Sequence, residues 1–505
     1  MPSVTRAAPP AAAPAGPTTA PAGPPAAPAP GVWSPERRRL TAGLVLSVTL
    51  VAFESLAIAT VMPVVADDLG GLGLYGWVFS GFFLGSLLGI VVSGQLADGV
   101  GTRLPFAIGL VLFAAGLVVG GTAPSMAVLV FARFFQGMGA GVVPALSYTS
   151  VGRAYPPELR PRVFAVFSSA WVIPGLAGPA AASAIEGWLS WRFVFLALLP
   201  LVVLAAIMAL PALSDTVPGR PAGEPGAPAD DEGARSHGEE RWRRAIVLVA
   251  GVALVLAGLG ADQMLLAAPL AGAGGLAATW AFLRLVPPGT ARFRPGLPAA
   301  VAMRGVLTFA FFGTDAYISL ALTDVRHQPT WVTGVTLTAC TLTWTTGAWI
   351  QQRLVVSRGP RWLVRRGMAL VGLGTAATIV GLGAAPPAVI VAAWTVAGLG
   401  IGLSYAPLSV TVLGTAVPGE EGRASASLQL TDVLGVALGT GVAGVFVALG
   451  EGGGWATGTS LTLGFAITLA VALAGVVVAG RLPRLLPGTE ADAGDAEPAL
   501  TTMAG

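Results

Sequence analysis

Residues 40–65 read LTAGLVLSVTLVAFESLAIATVMPVV. The run is long enough to cross a bilayer as a helix, which takes about 20 apolar residues. It carries a single charge, Glu54, near its middle. A carboxylate at that depth costs about 2.5–3.5 kcal/mol on insertion scales. It therefore faces a polar cavity and marks a pathway, or stays protonated and bonded to a neighbouring helix.

The rest of the chain agrees with a membrane reading. Of 505 residues, 54% are hydrophobic and only 10% charged, and mean hydropathy is +0.77; a soluble domain carries about 25% charged residues. A net charge of +3 is too small to argue for a nucleic-acid partner. The single cysteine, Cys340, forms no internal disulfide and no Cys-based metal site. His237 and His327 fall in expected loops. There is no lysine, hence no glycine-rich phosphate loop ending in Lys-Ser/Thr, which argues against an ATP-driven pump. No cluster of His, Cys and acids suggests a metal, and no cofactor or enzymatic constellation is implied.

Fourteen apolar runs follow one another, at 40–66, 74–96, 105–121, 125–151, 162–185, 192–212, 244–260, 263–285, 299–323, 330–353, 363–384, 386–414, 423–449 and 456–481. The 244–260 and 263–285 pair is also compatible with a re-entrant hairpin. Arg37, Arg38 and Arg39 place the amino terminus in the cytoplasm. Alternation then sends every arginine to a cytoplasmic loop or tail except Arg192, Arg326 and the intramembrane Arg133, with Arg304 counted in the loop before the ninth run. An even number of spans returns the carboxyl terminus to the cytoplasm. The expected organisation is a disordered tail over 1–39, a six-helix half over 40–212, a Pro- and Gly-rich linker over 213–243, an inserted helix pair over 244–285, a second six-helix half over 299–481 and a tail over 482–505.

The two halves repeat. RFFQGMGAG, with Gly137, Gly139 and Gly141, matches WTVAGLGIG, with Gly398, Gly400 and Gly402, 261 residues later. GVGTR, with Gly101 and Arg103, matches SRGPR, with Gly359 and Arg361, 258 residues later. A duplicated six-helix half is a transporter architecture. The same offset carries Glu54 to Asp315, so two intramembrane acids are expected at equivalent depths in the first helices of the two halves.

Four motifs carry a family resemblance. The loop GQLADGVGTRLP (94–105) resembles the signature loop of the major facilitator superfamily at Gly94, Leu96, Asp98, Gly101 and Arg103, while Gly99 and Leu104 depart from its basic positions. In that family the loop helps hold the cytoplasmic side shut. Its second-half copy has Val356 in place of the acid. Arg133, Gln136, Gly137, Gly139 and Gly141 resemble the R-x-x-Q-G-x-G element of proton-coupled members, which implies that Arg133 tunes proton transfer or orients the bundle. Gln136 lies at helix spacing i+3 from it, and the glycines suit close helix packing. Gly178-Pro179 resembles part of an exporter element, although Ala182 and Ser183 stand where two glycines are usual; a packing kink is the bland alternative. Glu54 and Pro63 keep the spacing of an element in fourteen-span drug:proton antiporters, with Leu56 and Ala59 replacing its polar residues.

The resemblance implies an all-α major facilitator fold of two six-helix halves plus an inserted pair, in the plasma membrane. It implies proton-coupled efflux of amphipathic drugs or natural products by alternating access, with the proton gradient as driving force. The expected coupling and cavity residues are Glu54, Asp315, Arg133 and Asp432; for Asp432 a structural bond to Gln429 is the alternative. Trp171, Trp344 and Trp394 are candidates for an amphipathic cavity or for packing. Transport of one specific metabolite and a non-transporting sensor or scaffold are the competing functions. The expected partners are a small-molecule substrate and the bilayer; the sequence fixes no oligomeric state, and a monomer is compatible with it.

Overall fold

The computed structural model describes residues 31–155, 172–213, 232–260, 264–417 and 421–485, with isolated positions between 159 and 170. Its elements are α1 (Arg38–Leu69), α2 (Tyr75–Val100), α3 (Arg103–Gly121), α4 (Met126–Ala154), α5 (Val172–Trp188), α6 (Trp191–Leu196), α7 (Leu199–Ala209), α8 (Glu232–Leu259), α9 (Met264–Leu285), α10 (Leu297–Asp315), α11 (Thr330–Leu382), α12 (Ala388–Thr415), α13 (Glu421–Gly453) and α14 (Thr457–Val478). Among the described residues there is no strand.

In lipid every backbone N–H and C=O must find a partner within its own segment, which leaves helices as the economical solution for these runs. Many hydroxyl side chains bond back to their own helix, although the Thr333 and Thr338 hydroxyls of α11 are buried without a partner among the described residues. The threonine-rich start of α11 would be costly if its hydroxyls were bare, yet Thr336, Thr341, Thr345 and Thr346 each donate to the carbonyl four residues back. Among the described residues twelve helical segments are long and apolar enough to cross a membrane. One is the 53-residue α11, which is two helices turned at Gly359 (φ 72°). α6 and α7 lie within one such segment, Trp191–Ala212. The expected fifth run is represented by the 17 residues of α5.

The repeat is physical as well as textual. Gly137 and Gly141 of α4 pack against the backbone of α2 at Phe82 and Ser86, and Gly139 packs against α3 at Gly109 and Phe113. Gly398 and Gly402 of α12 meet the first part of α11 at Cys340 and Trp344, and Gly400 meets its second part at Gly367. A methyl group at any of these six positions would run into backbone, so the motif glycines set the spacing of three helices in each half. The loop glycines correspond too. Gly101 (φ 81°) and Gly359 (φ 72°) take the same left-handed turn, which a side chain would strain.

The halves meet along two seams, α2 with α13 and α5 with α11. At the second, Gly334 of α11 faces the Pro179 carbonyl of α5, and Gly178 faces Phe53 and Leu56 of α1. α8 lies over the α2–α13 seam, where Leu248, Val252 and Leu256 join Leu84, Leu87, Leu430 and Leu434 in one apolar cluster. α9 packs chiefly on α8 through Gly251, Gly258 and Gly274 and turns Leu266, Leu276 and Leu283 outward. The hydrogen bonds between halves lie from mid-bundle toward the 70–74 loop: Ser319 to the Ala59 carbonyl, Tyr75 to the Ala316 carbonyl (3.3 Å), Ser80 to the Ala437 carbonyl and Thr440 (both 3.1 Å), and Gly73 N–H to Glu451.

Candidate functional site

α1 brings Glu54 and α4 brings Arg133 to the interior of the first half. Arg133 Nη1 donates to Glu54 and also to Gln136 Oε1 (2.9 Å), while its Nε donates to the Val78 carbonyl (3.3 Å). The guanidinium lies over the Phe82 ring at 4.1 Å. Glu54 is 0% exposed and Arg133 2%. The pair is thus sealed and charge-balanced, held by contacts with α2 and α4. Glu54 Oε2 and Gln136 Nε2 are buried without a partner among the described residues.

Asp315 is placed differently. It ends α10 and is only half-buried. Its Oδ1 accepts from the Trp394 indole N–H at 2.7 Å. Trp394 is fully buried, and its ring stacks on Phe311 (5.0 Å between centroids, 24° between planes). Glu54 and Asp315 therefore each bond to a partner within their own half.

The third acid, Asp432 of α13, is 22% exposed. Its Oδ2 accepts from the Tyr405 hydroxyl at 2.7 Å, and its Oδ1 lies 3.9 Å from Arg304 Nε. Arg304 was expected in a loop. It lies instead inside α10, 2% exposed, over the Tyr405 ring at 3.5 Å and bonded to Ser409. The apolar run at 299–323 starts upstream of it, so the loop assignment overlooked a helix that had already entered the bundle. Arg304 Nε and Nη1 and Asp432 Oδ1 have no hydrogen-bond partner among the described residues. Between the two acids an aromatic wall runs through Phe311, Phe312, Trp344 and Tyr405 in successive ring contacts of 5.1–6.2 Å. Phe312, Trp344 and Tyr405 are half-buried. A partly polar, ring-lined surface of this kind suits an amphipathic guest.

The Major Facilitator Superfamily model matches residues 44–403. The chain belongs to the Major Facilitator Superfamily. A Mycobacterium tuberculosis (strain H37Rv) protein described as a probable multidrug-efflux transporter is 27% identical over 463 residues, covering 89% of this chain and 96% of the relative. A "Multidrug resistance protein B homolog" of the same organism is 26% identical over 429 residues, covering 81% and 76%. Among solved structures, a POT-family peptide transporter in complex with alafosfalin superimposes with a TM-score of 0.63 at 16% identity, covering 89% of this chain and 96% of that one. The E. coli xylose transporter XylE does so with a TM-score of 0.58 at 13% identity, covering 87% and 96%. This superfamily member is therefore a multi-pass membrane transporter with the major facilitator fold, handling small molecules rather than catalysing a reaction.

Of the loop motif, Gly101 forms the turn and Arg103 begins α3. The side chain of Asp98 lies outside the described residues, as does Gly94 beyond its helical backbone. Trp171 also lies outside them. Gln136, Gly137, Gly141, Gly178 and Pro179 all sit at helix–helix contacts. Glu451, near the end of α13, accepts from the Gly73 N–H across the seam. Among the described residues no three His, Cys, Asp or Glu side chains gather as a metal site would need. Sequence reasoning missed Arg304 and Tyr405. The signal for Arg304 was present, since it lies within an apolar run; Tyr405 carries none in one dimension.

Proposed function

We propose that this transporter exports amphipathic drugs or natural products across the plasma membrane in exchange for protons, by alternating access. The observation that carries the reading is the arrangement of two partly accessible acids, Asp315 and Asp432, at either end of an aromatic wall. The rings offer a surface to the apolar part of a substrate, and the acids offer sites that a proton and a cationic or hydrogen-bonding group can occupy in turn. The multidrug-efflux names of the relatives support the same direction.

The sorting of arginines supports fourteen spans with both termini in the cytoplasm, with halves over 40–212 and 299–481 and the 244–285 pair spanning between them. The 70–74 loop then lies outside, and the hydrogen bonds between halves close the outer side. Arg133 and Glu54 hold the first half together as a neutral unit. Asp98, Gly101 and Arg103 belong to the cytoplasmic gate. Arg304 supports a second reading, export of a specific polar metabolite, because its free N–H groups beside Asp432 suit a ligand with adjacent acceptor and donor.

The test is transport by the purified chain in proteoliposomes, with and without a proton gradient, against a panel of amphipathic cations and polar metabolites. Gradient-driven uptake of the cations into inverted vesicles is expected. Transport that ignores the gradient refutes proton coupling, and movement of polar metabolites alone moves the assignment to the second reading.

A further inference from the structure

Glu54 and Asp315 stand 261 residues apart, and so do the residues that bond to them, Arg133 and Trp394. The acid–donor contact therefore joins positions 79 apart in both halves. Duplication has kept the geometry and changed the charge. Arg133 brings a permanent positive charge to Glu54, whereas Trp394 brings one N–H and no charge.

Among the described residues, the neighbours of Asp315 do not supply the missing cation. α11 contributes the buried Cys340 thiol. α12 contributes the Trp394 indole. α14 contributes Thr468, whose hydroxyl pairs with Thr314 at 2.8 Å. The acid of α13, Asp432, is engaged with Tyr405 and Arg304. Any change in the charge of Asp315 is therefore felt by the segment attached to it.

That segment is the one that closes the seam. α10 stops at Asp315, resumes for a single turn at Ile318–Leu320 and passes into a π turn at Ala321–Val325. Within four residues of Asp315, Ala316 accepts from Tyr75 and Ser319 donates to Ala59, both on the other half. Tyr317 rests 5.3 Å from the Tyr75 ring, centroid to centroid, and its hydroxyl sits against Gly76 and Gly444.

We propose that Trp394 is the positioning residue for Asp315, the counterpart of Arg133, and that proton exchange at this uncharged indole–carboxyl pair governs the clasp formed by residues 316–319. The proposal rests on the proton-coupled reading above. An indole N–H only donates, so it holds Oδ1 in place whether the carboxyl is ionised or protonated and leaves Oδ2 for the proton. A guanidinium in its place would balance the charge permanently and remove the reason for a proton to bind.

The experiment uses the full chain in proteoliposomes and reads two signals against pH: substrate-driven proton movement, with ethidium as the probe, and the carboxyl band of Asp315 in infrared difference spectra, assigned by its loss in Asp315→Asn. Trp394→Phe keeps a ring against Phe311 and removes the N–H; it should shift the midpoint of both signals by about tenfold in proton concentration, the scale of one hydrogen bond to a charged group. Trp394→Arg copies the first half; it should abolish the pH dependence, and a cysteine placed at Ala316, buried in the clasp, should stay protected from a membrane-impermeant reagent at every pH. Wild-type midpoints in Trp394→Phe, with wild-type coupling intact, overturn the role of Trp394 and leave proton coupling standing. Unchanged proton movement in Asp315→Asn overturns this inference and leaves proton coupling standing through other groups, whereas no proton movement in the wild type overturns the coupling reading itself.

Discussion

The two halves use one scaffold to hold an acid in two different ways. In the first, Glu54 is wholly buried against a guanidinium that also touches Gln136, the Val78 carbonyl and the Phe82 ring. In the second, the equivalent Asp315 is partly accessible, bonded to a neutral indole and set beside a broken helix. Removing one member of a buried ion pair strands a charge, while replacing an acid that has no counter-charge strands nothing. The first half is built to keep its charges. The second has the freedom to change one.

That contrast can be broken most forcefully from the first half. Arg133→Ala leaves Glu54 buried and uncompensated and should destabilise the protein by about 3–5 kcal/mol, read as the unfolding midpoint in detergent, with transport lost as well. If Arg133→Ala unfolds like the wild type, the pair is not the brace described here. The next effect belongs to the packing glycines. Gly137→Ala and Gly398→Ala each push a methyl into backbone and should cost about 1–3 kcal/mol; a large difference between them would show that the repeat does not carry equal loads. Asp315→Asn should change stability by less than about 1 kcal/mol, since the amide oxygen still accepts from Trp394, yet it should stop gradient-driven transport. An Asp315→Asn variant that loses stability as Arg133→Ala does would erase the distinction between the halves. The smallest effect is expected at the seam. Ser319→Ala removes one buried hydrogen bond, about 1 kcal/mol, and should raise labelling of a cysteine at Ala316 roughly fivefold with only a small fall in the unfolding midpoint.

Much of this fold was legible because a bilayer imposes simple rules. Apolar runs of fixed length give the helices, and the small residues at 137, 139 and 141 mark close crossings wherever they recur. Arg304 shows the limit of that reading. An arginine near a helix start looks like a loop residue, and only the packing of Tyr405 and Ser409 around it shows that the helix has already entered the bundle. The partner of Glu54 was legible as a candidate but not as a bond, because Arg133 lies 79 residues away on another helix.

Sequence alone determined the membrane character and the repeat, since each depends on hydrophobicity and spacing along one chain. Tertiary structure decided which group each acid faces and how far each is shut off from the cavity. Those properties belong to the space between helices, where the donor, its charge and the room left for a proton are set by residues distant in the chain.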